Sequence, residues 1–217
     1  MVLISTWFGF YAGAVKLEVP ISSFDSFFIF SLIFGALCSA AGVASLNEYI
    51  ESDLDKLMDR TKNRPIPAGD ISAKIGLIYG IAMSAIGIGF FWFFVHIGAA
   101  VLSTFTLILY VFIYTPLKRK TALNTIVGAI PGALPPLGGW LAATGEMSVE
   151  AWILFAILFA WQIPHFLSIA WIYRKDYKKG GFKMYTGEKK IMVFRAHIFV
   201  FTCLMVYYSI LPTMYGI

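Results

Sequence analysis

Long apolar runs, most of them long enough to cross a bilayer, dominate this chain and set its fold class before any motif is read. A membrane-spanning helix needs about 20 apolar residues, enough to cover a hydrocarbon core roughly 30 Å thick. Seven runs can be marked, at roughly 2–15, 24–46, 75–95, 97–117, 121–143, 149–173 and 191–213. Backbone amides in lipid must be satisfied within the segment or in a closed barrel, so runs of this length predict helices. With 59% apolar and 13% charged residues, little chain remains for a soluble domain. The expectation is an all-α polytopic transmembrane bundle forming a single domain over residues 1–217.

The first run holds only about 14 apolar residues before Lys16, which is short for a span. It lacks the basic opening and cleavage site of a signal peptide, and reads as a first helix without its opening turns. Cys38 and Cys203 lie inside apolar runs with no Cys-x-x-Cys partner, so they are expected as small buried hydrophobes with no disulfide or zinc site. Basic residues collect in three loops: Lys56, Arg60, Lys62, Arg64 and Lys74; then Lys118, Arg119 and Lys120; then the stretch from Arg174 to Arg195, which includes Lys189 and Lys190. Lys16 falls on the other side. The positive-inside rule places the three loops in the cytoplasm, with the protein integral to the cytoplasmic (inner) membrane. Topology and anionic lipid account for the net charge of +5 without nucleic acid.

The second run leads into Asn47, Glu48, Glu51, Asp53, Asp55 and Asp59. If the helix persists, Asn47, Glu51, Asp55 and Asp59 are four residues apart, each about 40° round the axis from the last. Like charges stacked this way repel unless a cation lies between them, which suits a hard divalent ion with oxygen ligands. Asp53 is off that stripe and is expected to face solvent or a basic side chain. The following Arg60 to Gly69, with Pro65 and Pro67, ends the helix in a basic loop. Beside a metal site, such cations are what a phosphate-bearing substrate requires.

The small residues Gly35, Ser39, Gly42 and Ser45 in the second run predict close packing on a neighbouring helix. His96 is expected as a satisfied histidine at the opposite interface. Pro131, Pro135 and Pro136 interrupt the fifth run, and such breaks survive where protein or a cavity re-satisfies the backbone. This predicts a helix bent around a cavity, or a plain packing kink. Trp161, Gln162 and His165 stand beside Pro164 within the sixth run, where polar groups are expected to face the bundle interior. His165 and Asp176 are eleven residues apart, about three turns, and would share a face if one helix carries both. Two acidic helix ends at one cavity suit Mg²⁺ holding a diphosphate, with a long apolar group such as an isoprenoid in the membrane interior.

At Asn47, Glu51 and Asp55 the chain resembles the UbiA-type intramembrane prenyltransferase superfamily, with Glu51 replacing the first Asp of its Asn-x-x-x-Asp-x-x-x-Asp motif. Within it the nearer likeness is to the heme O synthases, the protoheme IX farnesyltransferases. That likeness is carried by Leu46 to Asp55, Met58 to Thr61, Tyr114-Thr115 with Leu117-Lys118-Arg119, Pro135 to Trp140, Trp161 to Phe166, and Lys175-Asp176-Tyr177.

The resemblance implies transfer of a farnesyl group from farnesyl diphosphate to the 2-vinyl group of heme B. By analogy Asn47, Glu51, Asp55 and Asp176 would be the catalytic and Mg²⁺-binding residues. Arg60, Lys62, Arg64, Lys118 and Arg119 would hold the diphosphate, and His165, Trp161 and Gln162 would contact heme. It also implies heme A synthase or terminal oxidase assembly proteins as partners. The family has nine helices where this chain offers seven, so truncation at both ends is expected. The competing readings are a prenyltransferase for a quinone or chlorophyll precursor, and a membrane transporter. Transport sites lie near the bilayer midplane, whereas these carboxylates gather at one face.

Overall fold

The structure is a computed structural model that describes residues 1–185 and 191–216. Lys189 and Lys190, counted above with the third basic loop, lie outside the described residues. The described residues form helices and no strand. In order they are α1 (Val2–Lys16), α2 (Ser26–Asp55), the short α3 (Pro65–Ala68), α4 (Ala73–Phe94), and α5 (Ile97–Ile108). A π-helical turn, Leu109–Tyr114, then leads into α6 (Thr115–Leu117). They continue with α7 (Asn124–Ala133), α8 (Pro135–Thr144), α9 (Val149–Ile172), α10 (Arg174–Lys179) and α11 (Ile191–Tyr215). Among the described residues six units are long and apolar enough to cross a membrane; α1, with 15 residues, is shorter than a span needs.

Helix α2 sets the geometry of the rest. Asp25 starts it by accepting hydrogen bonds from the Phe27 and Phe28 amides at 2.9 and 3.1 Å. Its 30 residues extend about 45 Å, longer than the hydrocarbon core, so its last turns emerge at the charged end of the bundle. Small residues seat it on α4 as expected. A Cβ at Gly42 would stand 2.2 Å from Ser84 Oγ and 2.6 Å from Ser84 N, and one at Gly87 2.3 Å from Ser39 Oγ. The two backbones approach as closely as glycine and serine allow.

The proline-rich run bends at Leu134, between α7 and α8, and Pro131 and Pro135 line a cavity there, in line with a bend around a chamber. His96 caps α5, its Nδ1 accepting from the Gly98 amide at 3.0 Å. Both helices of the last pair, α9 and α11, pack through Ile163, Leu167, Phe159, Phe194 and Phe201. Cys38 is buried, as expected, but Cys203 is exposed on α11.

The loops after α2, α6 and α9 meet at one end of the bundle. Lys179 pairs with Asp59 at 2.6 Å, Lys118 with Glu51 at 2.9 Å, and the Lys183 amide donates to the Lys118 carbonyl at 2.8 Å. Lys16 lies at the opposite end, pairing with Glu150 at 2.9 Å and donating to the Tyr215 carbonyl at 3.0 Å.

Candidate functional site

The final turns of α2 carry Asn47, Glu51 and Asp55, and all three side chains are buried, with Asp55 only 1% exposed. Their spacing of four residues brings them to one pocket of about 210 Å³ at the charged end. Arg60, Arg64, Tyr110, Tyr114, Lys118, Asn124, Thr125 and Tyr177 complete its polar lining. Each buried carboxylate has a cation in contact: Lys118 Nζ lies 2.9 Å from Glu51 Oε2, and Arg64 Nη1 lies 2.8 Å from Asp55 Oδ2. Lys118 also stands over the Tyr114 ring at 4.6 Å. Asn47 Nδ2 donates to Glu51 Oε2 at 2.9 Å and to Thr115 Oγ1 at 3.2 Å. Glu51 Oε1 is buried with no protein partner.

A second cavity, about 250 Å³ and mainly apolar, adjoins the first; Tyr110 lines both. Ala36, Ala40, Val43 and Ala44 of α2 form one wall, with Ile88 and Phe91 of α4 beside it, and Pro131, Leu134 and Pro135 of the α7–α8 bend form another. The charged pocket and the apolar chamber thus share a wall at Tyr110.

Several expected residues are placed differently. Asp59 does not extend the acidic stripe, because α2 ends at Asp55, whose carbonyl accepts the Thr61 hydroxyl at 3.1 Å. Its carboxylate lies in the exposed loop between Lys179 and Lys62, whose hydrogen bonds hold its pKa down at about 2. Asp53 pairs with Lys56 at 3.1 Å in solvent, as expected. Lys62 pairs with Asp59, and Arg119 is exposed, so neither reaches the pocket wall.

Asp176 is set apart from the other acids because α9 stops at Ile172 and Tyr173 leaves helical geometry at φ −97°, ψ 24°. On α10, Asp176 accepts the Arg60 amide at 3.2 Å, while Arg60 Nη2 donates to the Tyr177 hydroxyl at 3.2 Å. It therefore steadies the rim. Among the described residues no three His, Cys, Asp or Glu side chains converge on one point: Asn47, Glu51 and Asp55 share the pocket, and Asp176 stands at its rim on Arg60. What remains still fits Mg²⁺, an ion that keeps several waters and takes one or two carboxylates together with substrate phosphates. The unpartnered Glu51 oxygen and the cations already seated on both carboxylates are the observations for that fit.

The expectation that Trp161 and His165 face the interior is also corrected. Both are exposed, with rings stacked at 4.6 Å and 14°. Gln162 is the buried member of that group, and its Nε2 has no protein partner. Tyr110, Asn124, Thr125 and Phe182 line the pocket without having been singled out by sequence. For Tyr110, its four-residue spacing from Tyr114 beside the basic cluster at Lys118 was the available signal.

Fold and site together define an integral membrane helical bundle with a charged, cation-paired mouth over an apolar chamber. The chain belongs to the UbiA prenyltransferase family, which it matches over residues 2–217. It is 42% identical over 187 residues to the protoheme IX farnesyltransferase of Solibacter usitatus, covering 85% of this chain and 64% of that relative's length. The apo structure of a UbiA homolog from Aeropyrum pernix superposes with a TM-score of 0.80 at 20% identity, covering all of this chain and 80% of the homolog. A UbiA homolog from Archaeoglobus fulgidus, bound to DMAPP and Mg²⁺, superposes with a TM-score of 0.63 at 17% identity, covering 97% of this chain and 75% of the homolog.

Proposed function

We propose that this chain carries the site of a Mg²⁺-dependent enzyme that transfers the farnesyl group of farnesyl diphosphate to the 2-vinyl group of heme B, giving heme O. The observation that carries the reading is the buried Asn47, Glu51 and Asp55 turn, already paired to Lys118 and Arg64, at the mouth of the apolar chamber. Support for heme as acceptor comes from the 42% identity to a protoheme IX farnesyltransferase. The diphosphate and Mg²⁺ are supported by the prenyl diphosphate and ion in the Archaeoglobus homolog.

In this reading Asn47, Glu51 and Asp55 supply oxygen ligands. Bound Mg²⁺ supplies Lewis-acid charge for the departing diphosphate. Lys118, Arg64 and Arg60 move onto the diphosphate oxygens, where their attraction grows as the C1–O bond breaks and negative charge develops. The allylic cation stays in the apolar chamber, away from bulk water. The heme vinyl carbons form the new C–C bond there, and water then adds to leave the hydroxyethyl group. Asp176 acts through Arg60, which it fixes at the rim. His165 and Trp161, whose exposed rings stack on each other, are assigned to contacts with the heme that carries the reacting vinyl group. The charged end is assigned to the cytoplasmic side of the cytoplasmic membrane, with heme A synthase or terminal oxidase assembly proteins downstream.

The test is to incubate membranes holding the protein with farnesyl diphosphate, heme B and Mg²⁺, and to look for heme O. Product from the wild type and none from Asp55→Asn, at equal membrane content, is expected. Equal heme O from the variant would refute Asp55 as a ligand, and none from either would refute the activity.

A further inference from the structure

The span that carries Lys118 into the pocket is not a regular α-helix. Between Leu109 and Tyr114 it widens into a π turn, and the Thr115 amide donates five residues back, to the Tyr110 carbonyl. One residue inserted in this way rotates all that follows by about 100° relative to a continuous α-helix. That rotation turns Thr115 and Lys118 towards α2. Without it Thr115 would not meet Asn47, nor Lys118 meet Glu51.

Thr115 is 2% exposed, and its hydroxyl has one hydrogen to give. It gives it to the Tyr110 carbonyl at 2.8 Å, so towards Asn47 the same oxygen is an acceptor only. Glu51 Oε2, the other neighbour of the Asn47 amide, is also only an acceptor. Both contacts therefore demand the NH₂ end of Asn47. Its carbonyl oxygen is left for the pocket that the residue lines. An asparagine is symmetric enough in shape to sit either way round, and hydrogen bonding is what decides.

We propose that Thr115 is the positioning residue of the site: held by the π turn, it locks the Asn47 amide with its oxygen towards the pocket, as a neutral ligand for the divalent cation. This rests on the diphosphate reading above. Loss of such an outer partner weakens metal binding by about 10–100-fold in other sites.

The test titrates Mn²⁺, as a stand-in for Mg²⁺, into the purified protein with saturating farnesyl diphosphate, reading bound ion by electron paramagnetic resonance. Thr115→Val and Thr115→Ala are expected to raise the Mn²⁺ Kd at least about tenfold, and Thr115→Ser to restore it. In an Asn47→Ala background, Thr115→Val is expected to add nothing further, as for two residues acting through one contact. An unchanged Kd in Thr115→Val, a full additional loss in the double variant, or failure of both Val and Ala variants to fold would overturn the proposal. Glu51→Gln separates the two readings. If it loses Mn²⁺ while Thr115→Val does not, only the role of Thr115 fails; if wild type and Glu51→Gln bind alike or not at all, the diphosphate reading itself fails.

Discussion

Replacing Lys118 with methionine removes a buried cation while keeping most of the stem that packs against Tyr114 and Phe182. Lys118 and Glu51 are 2.9 Å apart, with side chains 11% and 6% exposed. At an effective dielectric constant of about 20 their attraction is roughly 6 kcal/mol, much of it offset by desolvation. Breaking such a pair leaves a buried charge and costs about 3–5 kcal/mol. The Asn47 amide still donates to Glu51, which argues for the lower end, about 3 kcal/mol. For a chain of this size that corresponds to a fall in melting temperature of on the order of 10 °C. Mg²⁺ should then act in opposite proportion. In the wild type it competes with Lys118 for Glu51; in Lys118→Met it meets an unpaired carboxylate. Thermal unfolding followed by tryptophan fluorescence, with and without Mg²⁺ and without diphosphate, reads both effects. The variant is expected to melt lower and to be raised more by Mg²⁺. A variant that melts with the wild type and shows the same Mg²⁺ increment would refute the pairing of Lys118 with Glu51 as the state of the ligand-free site.

Two further outcomes follow from other parts of the molecule. Gly42→Ala should destabilise the bundle by about 1–3 kcal/mol, since the new Cβ meets Ser84 Oγ and N; adding Ser84→Gly should recover only part, and Gly89→Ala, with open space around it, should be neutral in the same melting assay. Asp59 has its pKa lowered from 3.8 to about 2, so its ionised form favours the folded loop above the ordinary value, and that contribution fades as pH falls towards 2. The protection factors of the Arg60 to Lys62 amides, exchange rates taken relative to the unstructured chain at the same pH, should therefore fall on acidification in the wild type and be low already at neutral pH in Asp59→Asn; a variant as protected as the wild type would refute the tie to Lys179.

The parts legible in the sequence are those set by helical period and hydropathy. Asn47, Glu51 and Asp55 share a face because α2 continues unbroken past its apolar run, and Gly42 and Ser39 announce the contact with α4. The misplacements all come from assuming that a helix continues, or that polarity implies burial. Asp59 leaves the stripe because the Thr61 hydroxyl takes the Asp55 carbonyl, and Asp176 turns to the rim because the backbone breaks at Tyr173. His165 is exposed while Gln162, three residues before it, is buried, a difference of about 60° round one helix that no composition argument resolves. The π turn at Leu109–Tyr114 has no local sequence signature either: its residues are ordinary apolar and aromatic ones, and only the contacts across to α2 give it a purpose.

The seam between α2 and α4 also governs how quickly the site can respond. With Gly42 against Ser84 and Gly87 against Ser39, the two helices form a stiff double strut with no slack for sliding, and the acidic turn is fixed at its end. The adjustable parts are the long arms of Lys118 and Arg64, whose rotamers exchange in picoseconds to nanoseconds once free. Under the proposed function, a diphosphate would have to release two ion pairs, Lys118 to Glu51 and Arg64 to Asp55, while the scaffold stands still.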